Sequence, residues 1–282
     1  MNSPPIADRT LSASVVLHHN PIPQLHKTLE SLELAASYAS RGGLLAGLKV
    51  TLVDNSCDPG YGQLVQTLLR RKTGQGTIRF EYLPQDENRG YGAGHNVALL
   101  TSDSDLHLVL NPDVELEEST LQVGLARLEE GADIALLSPR VSGDGGNQEF
   151  LCKRYPSVLV LVLRAFAPAF VQAWFRKRLD RYQMVDLCGG EQAVDVPLAS
   201  GCFMLAPTRE LQAVGGFDER YFLYFEDFDL SLRLGERGRL VFEPAMRIVH
   251  HGGYAARKGL RHVSYFLRSG IRFFNDHGWR WI

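Results

Sequence analysis

Leu106-His107-Leu108-Val109-Leu110 runs directly into Asn111-Pro112-Asp113, with Glu115 and Glu117 close behind. A short apolar run of this kind reads as a buried strand. A buried strand that stops on a carboxylate needs solvent, a partner or a metal for the charge. Pro112 has no amide proton and a fixed φ, so it halts the ladder and directs Asp113 out of the sheet. In open α/β sheets ligands sit just beyond the carboxyl ends of the strands, where this triplet falls.

Upstream the same pattern repeats. Ala13-Ser14-Val15-Val16-Leu17 reads as a strand, and Asn20-Pro21-Ile22-Pro23 turns it into a helix over about 24–40. Lys49-Val50-Thr51-Leu52-Val53 is a second strand, ending in Asp54-Asn55-Ser56, with a helix over 60–71. A third strand over 78–83 leads into the loop Asn88-Arg89-Gly90-Tyr91-Gly92-Ala93-Gly94-His95-Asn96 and a helix through 97–100. Such alternation predicts a doubly wound α/β fold with a parallel sheet over the first ~110 residues. Downstream, strands are expected at 132–138 and within 194–207, a Gly-rich turn at 142–146, a helix over 227–235, and short strands at 239–242 and 246–249.

The 282 residues supply ample core, with 45% hydrophobic and 22% charged. Thirty Lys and Arg against 32 Asp and Glu give a net charge of −2, so no basic field argues for nucleic acid, and any anionic ligand is held locally. Cys57, Cys152, Cys188 and Cys202 form no CxxC pair, which speaks against a zinc ribbon or a disulfide framework. They read as reduced and mostly buried, as in a cytosolic protein. Residues 1–10 lack a basic start followed by an apolar stretch, so they read as a frayed lead-in and not as a secretory signal.

The segment 156–181 is strongly apolar at Val158-Leu159-Val160-Leu161-Val162-Leu163, but Arg164 and Pro168 break it before it reaches the ~20 residues a bilayer span requires. It ends in Trp174-Phe175-Arg176-Lys177-Arg178. Two readings stand: a helix lying at a lipid surface, or a core helix whose basic end complements its own dipole. The tail from Arg261 carries Phe266, Phe273, Phe274, Trp279 and Trp281 among Arg268, Arg272 and Arg280. It reads as a helix packed on the domain, with membrane or subunit contact as the alternative.

Three acidic stops compete for a chemical role: Asp54, Asp113 and the run Glu226-Asp227-Phe228-Asp229. Any one alone is better explained as a cap or turn; together they indicate a site. A diphosphate without a P-loop is usually neutralised by a divalent cation on one or two carboxylates, and Asp113 suits that need. His250, heading His250-His251-Gly252-Gly253 after a strand, offers a nitrogen ligand, which manganese accepts more readily than magnesium. A lone strand-end His is more often structural. The glycines from Gly90 to Gly94 do not match a dinucleotide fingerprint, because they follow the third strand and not the first. They permit close backbone approach at a helix start.

Taken in order, Val15-Val16-Leu17-His18-His19-Asn20, Val53-Asp54-Asn55-Ser56, the 88–96 loop, Asn111-Pro112-Asp113, Ser200-Gly201-Cys202-Phe203-Met204, Gly215-Gly216-Phe217-Asp218-Glu219, Tyr224-Phe225-Glu226-Asp227-Phe228-Asp229-Leu230 and His250-His251-Gly252-Gly253 resemble the GT-A glycosyltransferases of family 2, in their bacterial rhamnosyltransferase-like branch. The series covers about 12–255. His19 stands where a Tyr is common, and Asn111 replaces the first Asp of the DxD motif.

The resemblance implies a GT-A fold, with a nucleotide-sugar half over 12–115, an acceptor half over 116–255 holding the amphipathic insertion at about 156–181, a lead-in at 1–11 and a helical tail at 256–282. It implies an inverting, metal-dependent transfer of a sugar, L-rhamnose from dTDP-L-rhamnose in this branch, to a saccharide or lipid-linked saccharide acceptor of bacterial surface polysaccharide or lipopolysaccharide. The setting would be the cytoplasm or the inner face of its membrane, with peripheral contact through 156–181 and no nucleic acid partner. Asp54 would meet the nucleobase, with the backbone of Leu17, His19 and Asn20 alongside and Asn88, Gly94, Asn96 and Asn111 in the nucleotide pocket. Asp113 and His250 would bind Mn2+ or Mg2+, Asp227 would be the general base, and Glu226 or Asp229 would orient the acceptor or its loop. Two alternatives remain: a sugar nucleotidyltransferase, against which the absence of a Gly-rich basic loop after the first strand argues, and a non-catalytic nucleotide-sugar-binding module, which the Glu226-Asp227 pair disfavours.

Overall fold

The computed structural model describes residues 9–70, 72, 77–252 and 260–282. The lead-in up to Asp8, the helix end at Arg71, Gly253 and the start of the tail lie outside the described residues. The first half runs β1 (Thr10–Leu17), α1 (Ile22–Arg41), β2 (Gly47–Asp54), α2 (Pro59–Arg70), β3 (Ile78–Pro84), α3 (Tyr91–Leu99), β4 (Leu106–Leu110), β5 (Val114–Leu116) and α4 (Thr120–Glu130). The second half runs β6 (Ile134–Ser142), β7 (Gln148–Glu149), α5 (Val158–Phe166), α6 (Ala169–Trp174), α7 (Arg176–Tyr182), α8 (Val185–Cys188), β8 (Val194–Asp195), β9 (Phe203–Pro207), α9 (Thr208–Ala213), α10 (Glu226–Gly235), β10 (Arg239–His250) and α11 (Leu260–His277).

One sheet orders its strands β3-β2-β1-β4-β9-β6-β10-β5. The expected parallel sheet occupies one side, since β3, β2, β1 and β4 are all parallel. The other side is mixed: β9 runs antiparallel to β4 and β6, β10 parallel to β6, and β5 antiparallel to β10. Leu25, Leu29, Leu32, Val65 and Leu125 of α1, α2 and α4 bury one face, and Leu99, Leu211, Leu230 and Leu234 of α3, α9 and α10 bury the other. Helices on both faces of a largely parallel sheet are the doubly wound solution.

Register aligns the strand ends. Leu17 pairs with Asp54, Asp54 with Pro84, and Val15 with Leu110, so the last residues of β1, β2 and β4 share one edge. β9 enters where β4 leaves, with Phe203 opposite Leu110, so its beginning meets that same edge. The two short strands expected at 239–249 are one continuous β10, in which the register against β6 jumps between Glu243 and Arg247. Pro244 interrupts pairing there, and the strand bulges and resumes.

The glycine-rich stretch is not a loop. α3 begins at Tyr91, and only Gly90, at φ 98°, uses conformational freedom; a Cβ there would also run into the Phe222 carbonyl. Gly92 and Gly94 lie within the helix, where a Cβ would come within 2.7 Å of Phe217 and 2.8 Å of Val16, so they serve close packing of α3. Inside the sheet, His107 is held between Ser12 and Ser14, and Ser14 also meets His95. Burial lowers His107 to about 3, so the ring is neutral.

The 156–181 segment is broken into α5, α6 and α7. Val160, Leu163, Leu179 and Tyr182 pack together, while α6 buries nothing and exposes Phe170 at 66% and Trp174 at 83%. α11 packs on the domain through Phe273 and Phe274, as the packed reading of the tail expected. Its exit hydrogen-bonds to the start of α5, Val158 N–H donating to Arg280 O at 2.8 Å and Leu159 N–H to Trp281 O at 3.1 Å. The cysteines are free, with Cys152, Cys188 and Cys202 buried and Cys57 exposed.

Candidate active site

The carboxyl edge of the sheet gathers three groups of side chains. At its β2 end Asp54 is 2% exposed. One oxygen accepts from the Tyr82 hydroxyl at 2.6 Å and the other from the Ser56 amide at 2.8 Å. Burial, with the Asp54 charge added, raises the Tyr61 and Tyr82 hydroxyls well above their ordinary value, so both stay protonated. His19, at φ 56°, sets its ring edge-on to Tyr61 at 5.4 Å. Asn20 accepts from the His18 amide at 2.8 Å, and Asn88 accepts from the Gly90 amide at 3.0 Å with its amide nitrogen 3.4 Å from the His18 ring. This corner combines hydrogen-bonding groups with aromatic rings, the equipment a planar heterocycle needs.

Three expected nucleotide residues are committed elsewhere. Leu17 is buried in the core and its carbonyl is taken by the Asn55 amide at 2.9 Å. Gly94 packs against Val16 and Asn55. Asn96 accepts from the Phe217 amide at 2.8 Å and donates to the Phe217 carbonyl and Glu219, which uses both amide hydrogens. Asn96 thereby ties α3 to the 217–219 turn.

In the middle, Asp113 leaves the sheet between β4 and β5, and the antiparallel pairing of β10 with β5 brings His250 opposite Val114. Nε2 of His250 lies 3.5 Å from Asp113 Oδ1, and Nδ1 lies 3.5 Å from Glu149. That buried Asp113 oxygen accepts no hydrogen bond from a described residue. Burial pulls the His250 imidazolium down, but Asp113 and Glu149 outweigh it and hold the ring above its ordinary value. Glu115 is engaged by His251 at 2.9 Å. Among the described residues no three His, Cys, Asp or Glu side chains form a complete metal cage. An oxygen and a nitrogen on one side of an ion, with the remaining positions left to diphosphate and water, nevertheless suit a divalent cation. Asn111 turns its oxygen to the Tyr91 hydroxyl at 3.0 Å, so within the triplet the carboxylate with an unpaired oxygen is that of Asp113.

At the third corner, Tyr224 and Phe225 both adopt positive φ, 71° and 67°. Left-handed backbone costs a non-glycine residue about 1–2 kcal/mol. Packing of Phe225 on Phe266 and Phe273, at 5.2 and 5.3 Å, holds it there. The reversal starts α10 with Glu226 and Asp227 in its first turn. Asp227 accepts from the Gly201 amide at 3.0 Å and the Phe228 amide at 2.9 Å. Burial raises its carboxyl, while those amides and Lys153 hold it back; burial and the Asp227 charge push Glu226 well above the carboxylate range. Asp229 is spent on structure, bound by Arg233 at 2.6 Å and by His277 of α11 at 2.8 Å. A hollow of ≈ 380 Å³ opens beside Asp227, lined by Lys153, Arg164, Tyr182, Phe228 and Phe266 among others.

A dipeptide joins these corners. Gly201 gives its amide to Asp227, and Cys202 accepts from the Asn111 amide at 2.9 Å. Tyr91, whose hydroxyl donates to the Gly201 carbonyl at 2.6 Å, feels the charges of both Asp113 and Asp227. Tyr61, Tyr82, Glu149 and Lys153 escaped the sequence reading, and single aromatic or charged residues carry no spacing signal that could have found them; Tyr91 was read only as part of the 88–96 motif.

The family model described as Glycosyl transferase family 2 matches residues 15–195. The N-acetylglucosaminyl-diphospho-decaprenol L-rhamnosyltransferase of Mycobacterium tuberculosis is 27% identical over 281 residues, covering 94% of this chain and 85% of that protein. Rhamnosyltransferase WbbL of Escherichia coli is 26% identical over 195 residues, covering 65% of this chain and 69% of that protein. Among solved structures, GalNAc-T7 with UDP, GalNAc and Mn2+ superposes with a TM-score of 0.63 at 14% identity, over 95% of this chain. This chain spans about half, 48%, of that structure, and at such identity the likeness concerns the GT-A fold alone.

Proposed function

The chain belongs to glycosyl transferase family 2, and on that basis we propose an inverting, metal-dependent hexosyltransferase that moves L-rhamnose from dTDP-L-rhamnose to a lipid-linked saccharide acceptor of the bacterial cell envelope. The observation that carries this reading is the gathering of Asp54, Asp113 and Asp227 at one edge of the sheet, with Gly201 and Cys202 joining Asp227 to Asn111 of the Asn111-Pro112-Asp113 triplet. The names of the rhamnosyltransferase relatives support the donor sugar and the carrier.

Asp54 and the rings of Tyr61 and His19 would hold the nucleoside. Asp113 and His250 would hold a divalent cation, which when bound supplies Lewis-acid charge to the leaving diphosphate. Asp227 would take the proton of the acceptor hydroxyl, a task for which a carboxyl raised by burial is a better base than an ordinary one. Attack from the face opposite the diphosphate inverts the anomeric centre. The test is a screen of nucleotide sugars for nucleoside diphosphate release with saccharide acceptors, with and without manganese, followed by NMR of the product anomer. No consumption of any sugar nucleotide, or retention of configuration, would overturn the reading.

The same reading expects Asp54→Asn to raise the donor KM by about tenfold, since a hydrogen bond to a charged group contributes about 1.5–3 kcal/mol, with kcat nearly unchanged. Steady-state kinetics at varied donor checks this, and an unaltered KM would remove Asp54 from the nucleotide corner.

We place the protein at the cytoplasmic membrane face, touching lipid through 156–181. Among the described residues no helix is long and apolar enough to cross a membrane. Exposed Phe166, Phe170 and Trp174 adjoin Arg176, Lys177 and Arg178, the pairing of apolar and basic groups that an anionic interface attracts. Wild-type protein should sediment with phosphatidylglycerol vesicles, and F170E/W174E should stay in the supernatant. Equal sedimentation of both would exclude this surface.

A further inference from the structure

The hollow beside Asp227 carries charge that sugar transfer does not use. Lys153 is anchored by its backbone, its amide donating to the Leu198 carbonyl at 3.0 Å, and the residue is only 6% exposed. Its ammonium touches the Phe150 carbonyl and lies 6.0 Å over the Tyr182 ring. Arg164 of α5, an exposed residue, sits 5.4 Å from the same ring. Neither cation forms an ion pair with a carboxylate of the described residues, although Asp227 is near enough for Lys153 to feel its charge.

The Tyr182 ring attracts both cations, but burying one of them beside the other is costly. Desolvation penalises the buried ammonium, and the neighbouring guanidinium repels it; Lys153 falls to about 7, burial first and Arg164 second. The fold gains no ion pair in return. A dianion entering the hollow would relieve both penalties, because it supplies the missing counter-charge where the dielectric is low. The ≈ 380 Å³ volume falls among ligand pockets, roughly 300–1,000 Å³. Leu161, Tyr224, Phe228 and Phe266 also line it and offer apolar surface for a sugar face or an alkyl chain.

We propose that Lys153 and Arg164 form a phosphate-binding end of the acceptor pocket, so that the preferred acceptor is a saccharide bearing a phosphoryl ester away from the attacked hydroxyl. The proposal rests on the reading of Asp227 as the base beside that pocket. It adds a requirement on the acceptor that a base alone does not impose, and it sets Lys153 and Arg164 apart from the donor diphosphate, which belongs to the Asp113 and His250 corner.

The experiment measures binding by calorimetry in EDTA without donor, using three probes: an alkyl hexosyl diphosphate, an alkyl hexosyl monophosphate and the neutral alkyl hexoside. Wild type should bind the phosphorylated probes about 10- to 100-fold tighter than the neutral one, the range of one or two charge-assisted hydrogen bonds. A larger gain for the diphosphate than for the monophosphate identifies the linkage. Arg164→Gln, on an exposed residue, and Lys153→Met should each remove most of the preference and leave the neutral probe unchanged, with Lys153→Arg retaining it. Equal wild-type affinity for charged and neutral probes overturns the proposal, as does a loss in the variants that is the same for all three. Weakened binding of the nucleotide sugar in their place assigns the cations to the donor and also overturns it. If the discrimination holds while no sugar is transferred to any acceptor, the transferase reading fails and the anion site stands.

Discussion

Asp227→Asn is expected to lower kcat by about 10²–10⁴-fold, the usual contribution of a positioned general base, with donor binding intact. Asn matches the shape of Asp, and its one oxygen can keep either the Gly201 or the Phe228 amide bond, so the start of α10 should survive. What disappears is the capacity to take a proton. The neighbouring Glu226 is the control: it is buried, with one oxygen unpaired, and burial together with the Asp227 charge favours its protonated form. Glu226→Gln should therefore retain far more turnover than Asp227→Asn. The pH profile supplies a second readout. The base must be ionised, and burial raises its carboxyl above the ordinary aspartate value, so activity should fall as pH drops through a limb lying above that value. That limb should be absent in Asp227→Asn. Unchanged kcat in the variant, or a large loss confined to Glu226→Gln, would move the base to another residue.

Asp113→Ala is expected to abolish manganese-stimulated turnover, a loss on the order of 10²-fold or more, because neutralising the leaving diphosphate is usually the largest single electrostatic contribution. The buried oxygen that accepts no hydrogen bond is the atom removed. His250→Ala should be milder, since Asp113 remains to bind the ion. Paramagnetic resonance of manganese with nucleoside diphosphate present should show weaker retention in both variants, Asp113→Ala the more. Equal metal-independent turnover in wild type and Asp113→Ala would remove this corner from the chemistry.

The acidic stops were legible because two local rules coincide at each of them. A strand of apolar residues must end where a charge appears, and in a parallel sheet that end faces the ligand side. Asp54 and Asp113 follow from those rules. Gly92 and Gly94 did not, because a glycine in a loop and a glycine in a tightly packed helix look alike in one dimension; only the approach of Val16 and Phe217 separates them. The contacts of Asn96 were hidden for the same reason, since its partners on Phe217 and Glu219 lie more than 120 residues away. Asp229 shares a motif with Asp227, yet a turn of helix sends it to Arg233 and His277.

The alternation of strand and helix, the parallel half of the sheet and the carboxylates at its edge could all be read from the order of residues, because periodicity and chain-breaking residues act over a few positions. Packing in three dimensions was needed to establish that β9 and β5 run antiparallel, that Gly201 and Cys202 join Asp227 to Asn111, that His250 faces Asp113, and that Lys153 and Arg164 share the Tyr182 ring. Most of those contacts join residues tens to more than a hundred positions apart. No local preference encodes them; they follow from the one packing that buries both faces of the sheet and brings its charged edge together.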